Sequence, residues 1–288
     1  MKIIIDEKYH DTRVDRFLRK LLSNTPLTEI FKNIRTGNIK VNGKKTKENS
    51  RLKLGDEVYI YDSIIEENPI INEKNYINLS KAEIELIKSS IVYEDEKIVV
   101  INKPYNTVMH KGSGHDYGWS EMFKSYYKNN DFGFVNRIDK ATSGLVIGAK
   151  TLPVARELSK EIQEHNIDKK YYILVEGKIR EKEFILSTYL KKIDTKVIES
   201  SVYIEGYKKS TSQFKVIENR EKTTLLIAKL DTGRTHQLRV QLSEKNHPIL
   251  GDFKYGAKIK VKRMFLHSFY LEIKKYNFKL ELPLPEGF

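Results

Sequence analysis

Between Asp11 and Leu22 the apolar residues fall at Val14, Phe17, Leu18, Leu21 and Leu22, the spacing of one helical face. Arg13, Arg16 and Lys20 share another face, and Asp11 or Thr12 is placed to cap the N-terminus. Pro26 suits the first position of a second helix, with Leu27, Ile30, Phe31 and Ile34 as its apolar stripe. Gly37 is expected to close that helix in the left-handed conformation. The pattern then changes: "IKVNGKKTKENSRLKLGDEVYIY" predicts a strand, an Asn42-Gly43 turn, a basic loop and a second strand ending near Tyr61. Residues 1–62 therefore form a small α/β module.

Residues 63–90 read as a linker, polar and without a helical stripe at first, with "SKAEIELIKSS" adding a short helix before the second domain. From Ile91 the texture is β-rich. "IVYEDEKIVVINKP" predicts two short strands about a turn at Asp95, and "KYYILVEGKI", "STSQFKVIENR", "TTLLIAKLDTG" and "FLHSFYLEI" are further strands. "YGWSEMFKSYYKN" and "LPVARELSKEIQEHN" are helices, the second opened by Pro153. Strands outnumber interspersed helices, so residues 91–288 are expected to be an α+β domain with a mainly antiparallel central sheet and flanking helices.

Composition adds a partner. The chain has 288 residues, 39% of them hydrophobic, and a formal charge of +13. That excess favours a polyanion, nucleic acid or an anionic surface. No apolar run approaches the roughly 20 residues a membrane span needs, and the start, "MKIIIDEKYH", is too soon charged for a secretory signal. The absence of cysteine excludes disulfides and a Cys nucleophile, and fits a cytoplasmic protein. The histidines lack tight metal-ligand spacing, so no metal is expected.

Three segments carry candidate chemistry. In "FVNRIDKATSGLVIGAK" a single acid, Asp139, stands between Arg137 and Lys140 and before the small residues Thr142-Ser143-Gly144. "DKKYYILVEG" sets lysines before Tyr171 and Tyr172, and "LDTGRTHQLRVQL" clusters Arg234, His236, Gln237 and Arg239 after a turn expected at Gly233. If either Arg234 or Arg239 meets Asp139, a fixed carboxylate results that can act as nucleophile or base. Each segment also has an ordinary reading: a surface ion pair for Asp139, sheet packing for the tyrosines, a structural histidine, a plain phosphate site for the arginines. "DTG" at Asp231 invites an aspartic-peptidase reading, but the second carboxylate that chemistry requires has no matching tripeptide here.

The order helix, helix, "TGNIKVNGKK", "LKLGDEV" resembles the S4 RNA-binding domain. "NKPYNTVMHKGSG", "NRIDKATSGLVIGAK", "KKYYILVEG", "TGRTHQLRVQLSEKNHPILGD" and "RMFLHS" together resemble the RluA-type pseudouridine synthases, and within them the RluC-like ribosomal RNA enzymes. The resemblance implies a central antiparallel sheet carrying the active-site cleft, no cofactor and no metal. It implies Asp139 as catalytic aspartate, Tyr171 as the active-site tyrosine, Arg234 as the arginine paired with the aspartate, and Arg137 as a residue holding a flipped nucleotide. Thr142, His236, Gln237 and Arg239 are then expected to contact RNA, as are Arg13, Arg16, Lys20, Arg35 and Lys44 of the module. The expected partner is RNA, by the same resemblance large-subunit ribosomal RNA, bound by a monomer. A ribosome-assembly factor without catalysis would use the same basic module. Two departures from the family pattern stand out: Asn136 where the family has His, and Tyr105-Asn106 where it tends to a small residue and Gly.

Overall fold

The structure, a computed structural model, describes residues 1–22, 25–62, 64, 76–112 and 114–288. It divides into two compact units, residues 1–77 with 151–156, and residues 78–150 with 157–288. Among the described residues no helix is long and apolar enough to cross a membrane.

The first unit contains β1 (Lys2–Ile4), α1 (Val14–Leu21), α2 (Leu27–Thr36), β2 (Ile39–Val41), β3 (Lys44–Lys45) and β4 (Glu57–Ile60). Its sheet has the order β1-β4-β2-β3, antiparallel throughout. Val14, Phe17 and Leu18 of α1 and Ile30 and Ile34 of α2 meet Ile39, Leu52, Val58 and Ile60 in one core. The apolar spacing is thus the cause of both helices. Gly37 ends α2 at φ 85° and Asn42-Gly43 turns at φ 51° and 73°. The expected caps differ. Arg13 is the N-cap of α1, without a side-chain cap, and Asp11 lies at φ 56° with its carboxylate on Arg51. Pro26 is the N-cap of α2 rather than its first residue.

The second unit begins before the expected boundary at residue 91. Within the supposed linker, α3 (Lys81–Ser90) opens with a capping box in which Ser80 and Glu83 satisfy each other's backbone N–H groups. The rest of the linker's polar stretch, residues 65–75, lies outside the described residues. After α3 come β5 (Ile91–Glu94), β6 (Ile98–Lys103), α4 (Trp119–Tyr126), β7 (Gly133–Phe134), β8 (Ser143–Ala149), α5 (Leu152–Gln163), β9 (Ile167–Glu176), β10 (Glu183–Ile193), β11 (Lys196–Ser200), β12 (Lys208–Asn219), β13 (Thr223–Leu230), α6 (Gln237–Glu244), β14 (Leu266–Ile273) and β15 (Phe278–Glu281).

These strands form a sheet in the order β11-β10-β12-β13-β9-β14-β8-β6-β5, with β15 on β14 and β7 on β8. The sheet is mixed but mainly antiparallel: β14 and β8 run parallel, while the other pairs are antiparallel. β8 follows a long excursion from β6 and lies between β6 and β14. β8 is buried along its whole length, as befits a central strand covered on both faces. At the parallel contact Gly144 pairs with Ser268. A Cβ on Gly144 would stand 2.1 Å from the Ser268 carbonyl oxygen, and its φ is 112°. Only glycine fits there. This close approach fixes where β8 starts and so where the Asp139 loop sits.

Candidate active site

Asp139 lies in the turn that enters β8, where Thr142 N–H donates to the Asp139 carbonyl at 3.1 Å. The turn is secured from below by Lys103, whose fully buried side chain donates to the carbonyls of Pro104 (2.8 Å), Thr107 (3.0 Å) and Lys140 (3.4 Å). Burial pulls the Lys103 pKa down to about 7 despite the opposing charge of Asp139. Asn136 secures it from the other side, its Oδ1 accepting Ile147 N–H at 2.8 Å. The amide in place of the family histidine therefore satisfies a backbone N–H within β8. Asn106 likewise fits its site: at φ 62° it takes the left-handed conformation, in which Asn is enriched among non-glycine residues. Tyr105 lies beneath the Arg263 guanidinium at 4.8 Å.

The two cations flanking Asp139 in the sequence turn elsewhere. Arg137 is exposed at the cleft wall, and Lys140 Nζ meets His115 Nε2 at 3.1 Å. The guanidinium on Asp139 is that of Arg239, whose Nη1 donates to Asp139 Oδ2 at 3.1 Å. Arg239 Nε and Nη2 grip Asp252 at 2.7 and 2.8 Å. Burial works against the Arg239 charge, yet the bonds to Asp252 and the charges of Asp252 and Asp139 outweigh it and raise its pKa. A bidentate, buried guanidinium of this kind is a rigid platform.

Arg234 does not pair with Asp139. It lies exposed at the rim, its Nε donating to the Lys209 carbonyl at 3.3 Å. The left-handed residue of this run is His236, at φ 54°, and not Gly233. His236 Nε2 stands 3.7 Å from Asp139 Oδ2 and Nδ1 2.6 Å from the Tyr255 hydroxyl. Burial is the main cause of a lowered His236 pKa.

Gln237 and Thr142, expected to touch RNA, are buried instead. Gln237 Oε1 accepts from Thr232 Oγ1 and Arg234 N–H, and its Nε2 donates to the Thr211 carbonyl and Ser212 Oγ. The amide is fully used in bracing the turn before α6. Arg239, also buried, is occupied by two carboxylates. Asp231 of the "DTG" run accepts from Gln213, which leaves the peptidase reading without a carboxylate pair.

Tyr171 comes from the middle of β9, opposite Ala228 of β13 and Ser268 of β14. Its pKa is pushed up to about 12 by burial, with Ser268 pulling the other way and Asp139 adding to the rise. It is a neutral phenol at physiological pH. Asp139, Arg137, Tyr171, Arg234, His236 and Arg239 line one open cleft of about 650 Å³. That volume suits a nucleotide-sized ligand. Sequence reasoning missed Lys103, Asp252 and Tyr255. Asp252 ends the "TGRTHQLRVQLSEKNHPILGD" segment, but nothing in its spacing from Arg239 announced the pairing.

In the first unit Arg16, Lys20, Arg35 and Lys44 are exposed. Arg13 differs, its guanidinium held on Asp15 at 2.8 and 3.0 Å.

The chain is similar to known proteins. The chain is 34% identical to ribosomal large subunit pseudouridine synthase C of Buchnera aphidicola subsp. Baizongia pistaciae, over 97% of this chain and 92% of that protein. It is 32% identical to the protein of the same name from Vibrio cholerae, over 92% and 86%. Among solved structures, human RNA pseudouridylate synthase domain containing 1 superposes with a TM-score of 0.58 at 27% identity, covering 69% of this chain and 84% of that one. Residues 97–244, from β6 through α6 and so from Lys103 to Arg239, match the family model for RNA pseudouridylate synthase, and the chain belongs to that family.

Proposed function

We infer that the chain isomerises uridine to pseudouridine in RNA, and that its substrate is large-subunit ribosomal RNA in the cytoplasm. One observation carries the reading: a carboxylate, Asp139, clamped by Arg239 in an open cleft beside Tyr171. A protein that only bound RNA would gain nothing from an anion fixed where phosphates approach.

The reaction breaks the N1–C1′ bond, turns the uracil and forms C5–C1′. C5 loses a proton and N1 gains one, so there is no net redox change. The target nucleotide must leave the base stack to reach the cleft. Arg137, exposed at the cleft wall, is suited to fill the vacated space or hold the backbone. Asp139 attacks C1′ or C6, or removes the C2′ proton; all three need a fixed carboxylate. Tyr171 takes part as a phenol, by contact with the uracil near C5, since its high pKa denies it a phenolate role at neutral pH. The first unit acts as an S4-like module, with Arg16, Lys20, Arg35 and Lys44 on RNA phosphates, and the enzyme works as a monomer.

The test is Asp139→Asn, which is nearly isosteric. Tritium release from C5-labelled uridine in ribosomal RNA is expected to vanish while filter binding of the same RNA persists. Release at the wild-type rate would refute Asp139 as catalyst. Loss of binding along with activity would reduce Asp139 to a support for Arg239.

A further inference from the structure

Arg239 and His236 both address the same oxygen of Asp139. Arg239 Nη1 is 3.1 Å from Oδ2, and His236 Nε2 is 3.7 Å from Oδ2. Among the described residues no hydrogen-bond donor reaches Oδ1. The two oxygens of the carboxylate are therefore unequal, and the difference depends on which nitrogen of His236 carries its proton.

Tyr255 decides that. Its hydroxyl oxygen accepts Val197 N–H at 3.1 Å and lies 2.6 Å from His236 Nδ1. If Nδ1 carried the proton, two N–H groups would point at the hydroxyl, and its own proton would have no acceptor among the described residues. The bare Nε2 lone pair would then face the Asp139 carboxylate, which is repulsive. If instead the hydroxyl donates to Nδ1, the hydroxyl proton and the Nδ1 lone pair are both satisfied, and Nε2–H faces Oδ2 from 3.7 Å. The Tyr255 ring also lies under the Arg239 guanidinium, 5.0 Å from its central carbon. One side chain thus touches both groups that face Asp139.

We propose that Tyr255 is a positioning residue. It holds His236 in the Nε2–H form, so that His236 closes on Asp139 Oδ2 beside Arg239 when a nucleotide fills the cleft, and Oδ1 is the oxygen that reacts. The proposal rests on the reading of Asp139 as the catalytic carboxylate. Its support comes from the left-handed backbone of His236 as well, which turns the imidazole inward at the start of α6 and not outward to the RNA. The lowered His236 pKa agrees with a neutral ring.

The experiment uses the full-length protein. Nitrogen-15 NMR of histidine-labelled protein reads the His236 tautomer directly, with the His236 signals identified by their loss in a His236→Gln variant. We expect Nε2–H in the wild type and a mixture of tautomers in Tyr255→Phe. Tyr255→Phe keeps the ring under Arg239 and removes only the hydroxyl. Its single-turnover rate at saturating RNA should fall roughly tenfold to a hundredfold, as is usual when a partner that orients a reacting ligand is removed. RNA affinity should not change. His236→Gln places an amide N–H near the Nε2 position, and His236→Asn places one near Nδ1. Gln should therefore react faster than Asn, although Asn tolerates the left-handed backbone better.

An Nδ1–H tautomer in the wild type, an unaltered rate in Tyr255→Phe, or Asn equal to Gln would each overturn the proposal. If Tyr255→Phe fails to fold, the Gln and Asn comparison decides alone. An active Asp139→Asn enzyme would refute the catalytic reading, and the tautomer measurement would still test the Tyr255–His236 bond.

Discussion

Arg239 Nη1 donates to Asp139 Oδ2 at 3.1 Å, while Arg234, in the same "GRTHQLR" run, bonds a backbone carbonyl at the cleft rim. The separation follows from the chain's path. Arg234 precedes α6 on an exposed turn, whereas Arg239 lies within the first turn of α6 on its buried side. The fork geometry of Arg239 then serves two carboxylates that come from distant segments, the Asp139 turn and the loop at Asp252.

Arg239→Lys is accordingly expected to cost far more than Arg234→Lys. Lysine keeps the charge but cannot grip Asp252 through two bonds while reaching Asp139. Breaking a buried pair in this way costs about 3–5 kcal/mol. Turnover should drop by at least about a hundredfold. Arg234→Lys should keep turnover within a few fold and weaken RNA binding slightly. Single-turnover rates and urea melts of the two variants check this. The opposite ranking would mean that Arg234 meets Asp139 during the reaction.

Gly144→Ala tests the parallel junction between β8 and β14. The added methyl would sit 2.1 Å from the Ser268 carbonyl oxygen, on a backbone at φ 112°. Both the clash and the conformation oppose alanine. A loss of more than about 2 kcal/mol in urea unfolding is expected, which is large for a single added methyl. A melt equal to wild type would show that β8 can shift without cost.

His267 gives a pH signature. Burial, reinforced by the nearby Arg263 charge, lowers its pKa to about 4. Its Nδ1 lies 2.8 Å from Ser143 Oγ, which accepts from Arg263 Nη2 and so donates to the neutral ring. The unfolded chain binds a proton at about pH 6.5. Between pH 6.5 and about 4 the unfolded state is the one that holds the extra proton, so stability rises with pH in that window. The contribution is complete above about 6.5 and disappears as pH falls towards 4. It amounts to about 3 kcal/mol in order of magnitude. His267→Gln should lose less stability than wild type as the pH falls from about 6.5 towards 4. Parallel pH curves for the two proteins would contradict this.

The sequence was most legible where burial is one-sided or complete. α1 and α2 follow their apolar stripes, and the buried runs of β6 and β8 read as strands directly. α6 is not legible as a helix, because polar and apolar residues alike are buried along it and no polar face marks its outer side. Gln237, Arg239 and Gln241 face inward and bond to β12 or to carboxylates. The intervening Leu238, Val240 and Leu242 then mimic the alternation of a strand. The hairpin of β10 and β11 escaped notice for a related reason. Ile185 and Ile193 lie exposed there, so the apolar pattern does not mark one face. Asp139 and Tyr171, singled out by motif, line one cleft, but which arginine meets Asp139 follows only from where α6 places its first turn.

The basic module makes the last prediction. Arg16, Arg35 and Lys44 are exposed on elements of the first unit, two on helices and one at the start of β3. If they meet RNA phosphates, each releases a condensed counterion on binding. Changing all three to Gln should then make the plot of log affinity against log salt shallower, by roughly 0.7 to 0.9 for each phosphate no longer neutralised. The module's core, built on Phe17, Leu18, Ile30 and Ile34, is untouched by these changes, so the thermal melt should not move. Turnover at saturating RNA should also hold, because Asp139 and Arg239 belong to the second unit. Arg13→Gln serves as contrast: its guanidinium is engaged by Asp15, so it should alter the slope less than any one of the three. A slope unchanged in the triple variant would show that the module's charge is a solvated surface and that RNA is held by the catalytic unit alone.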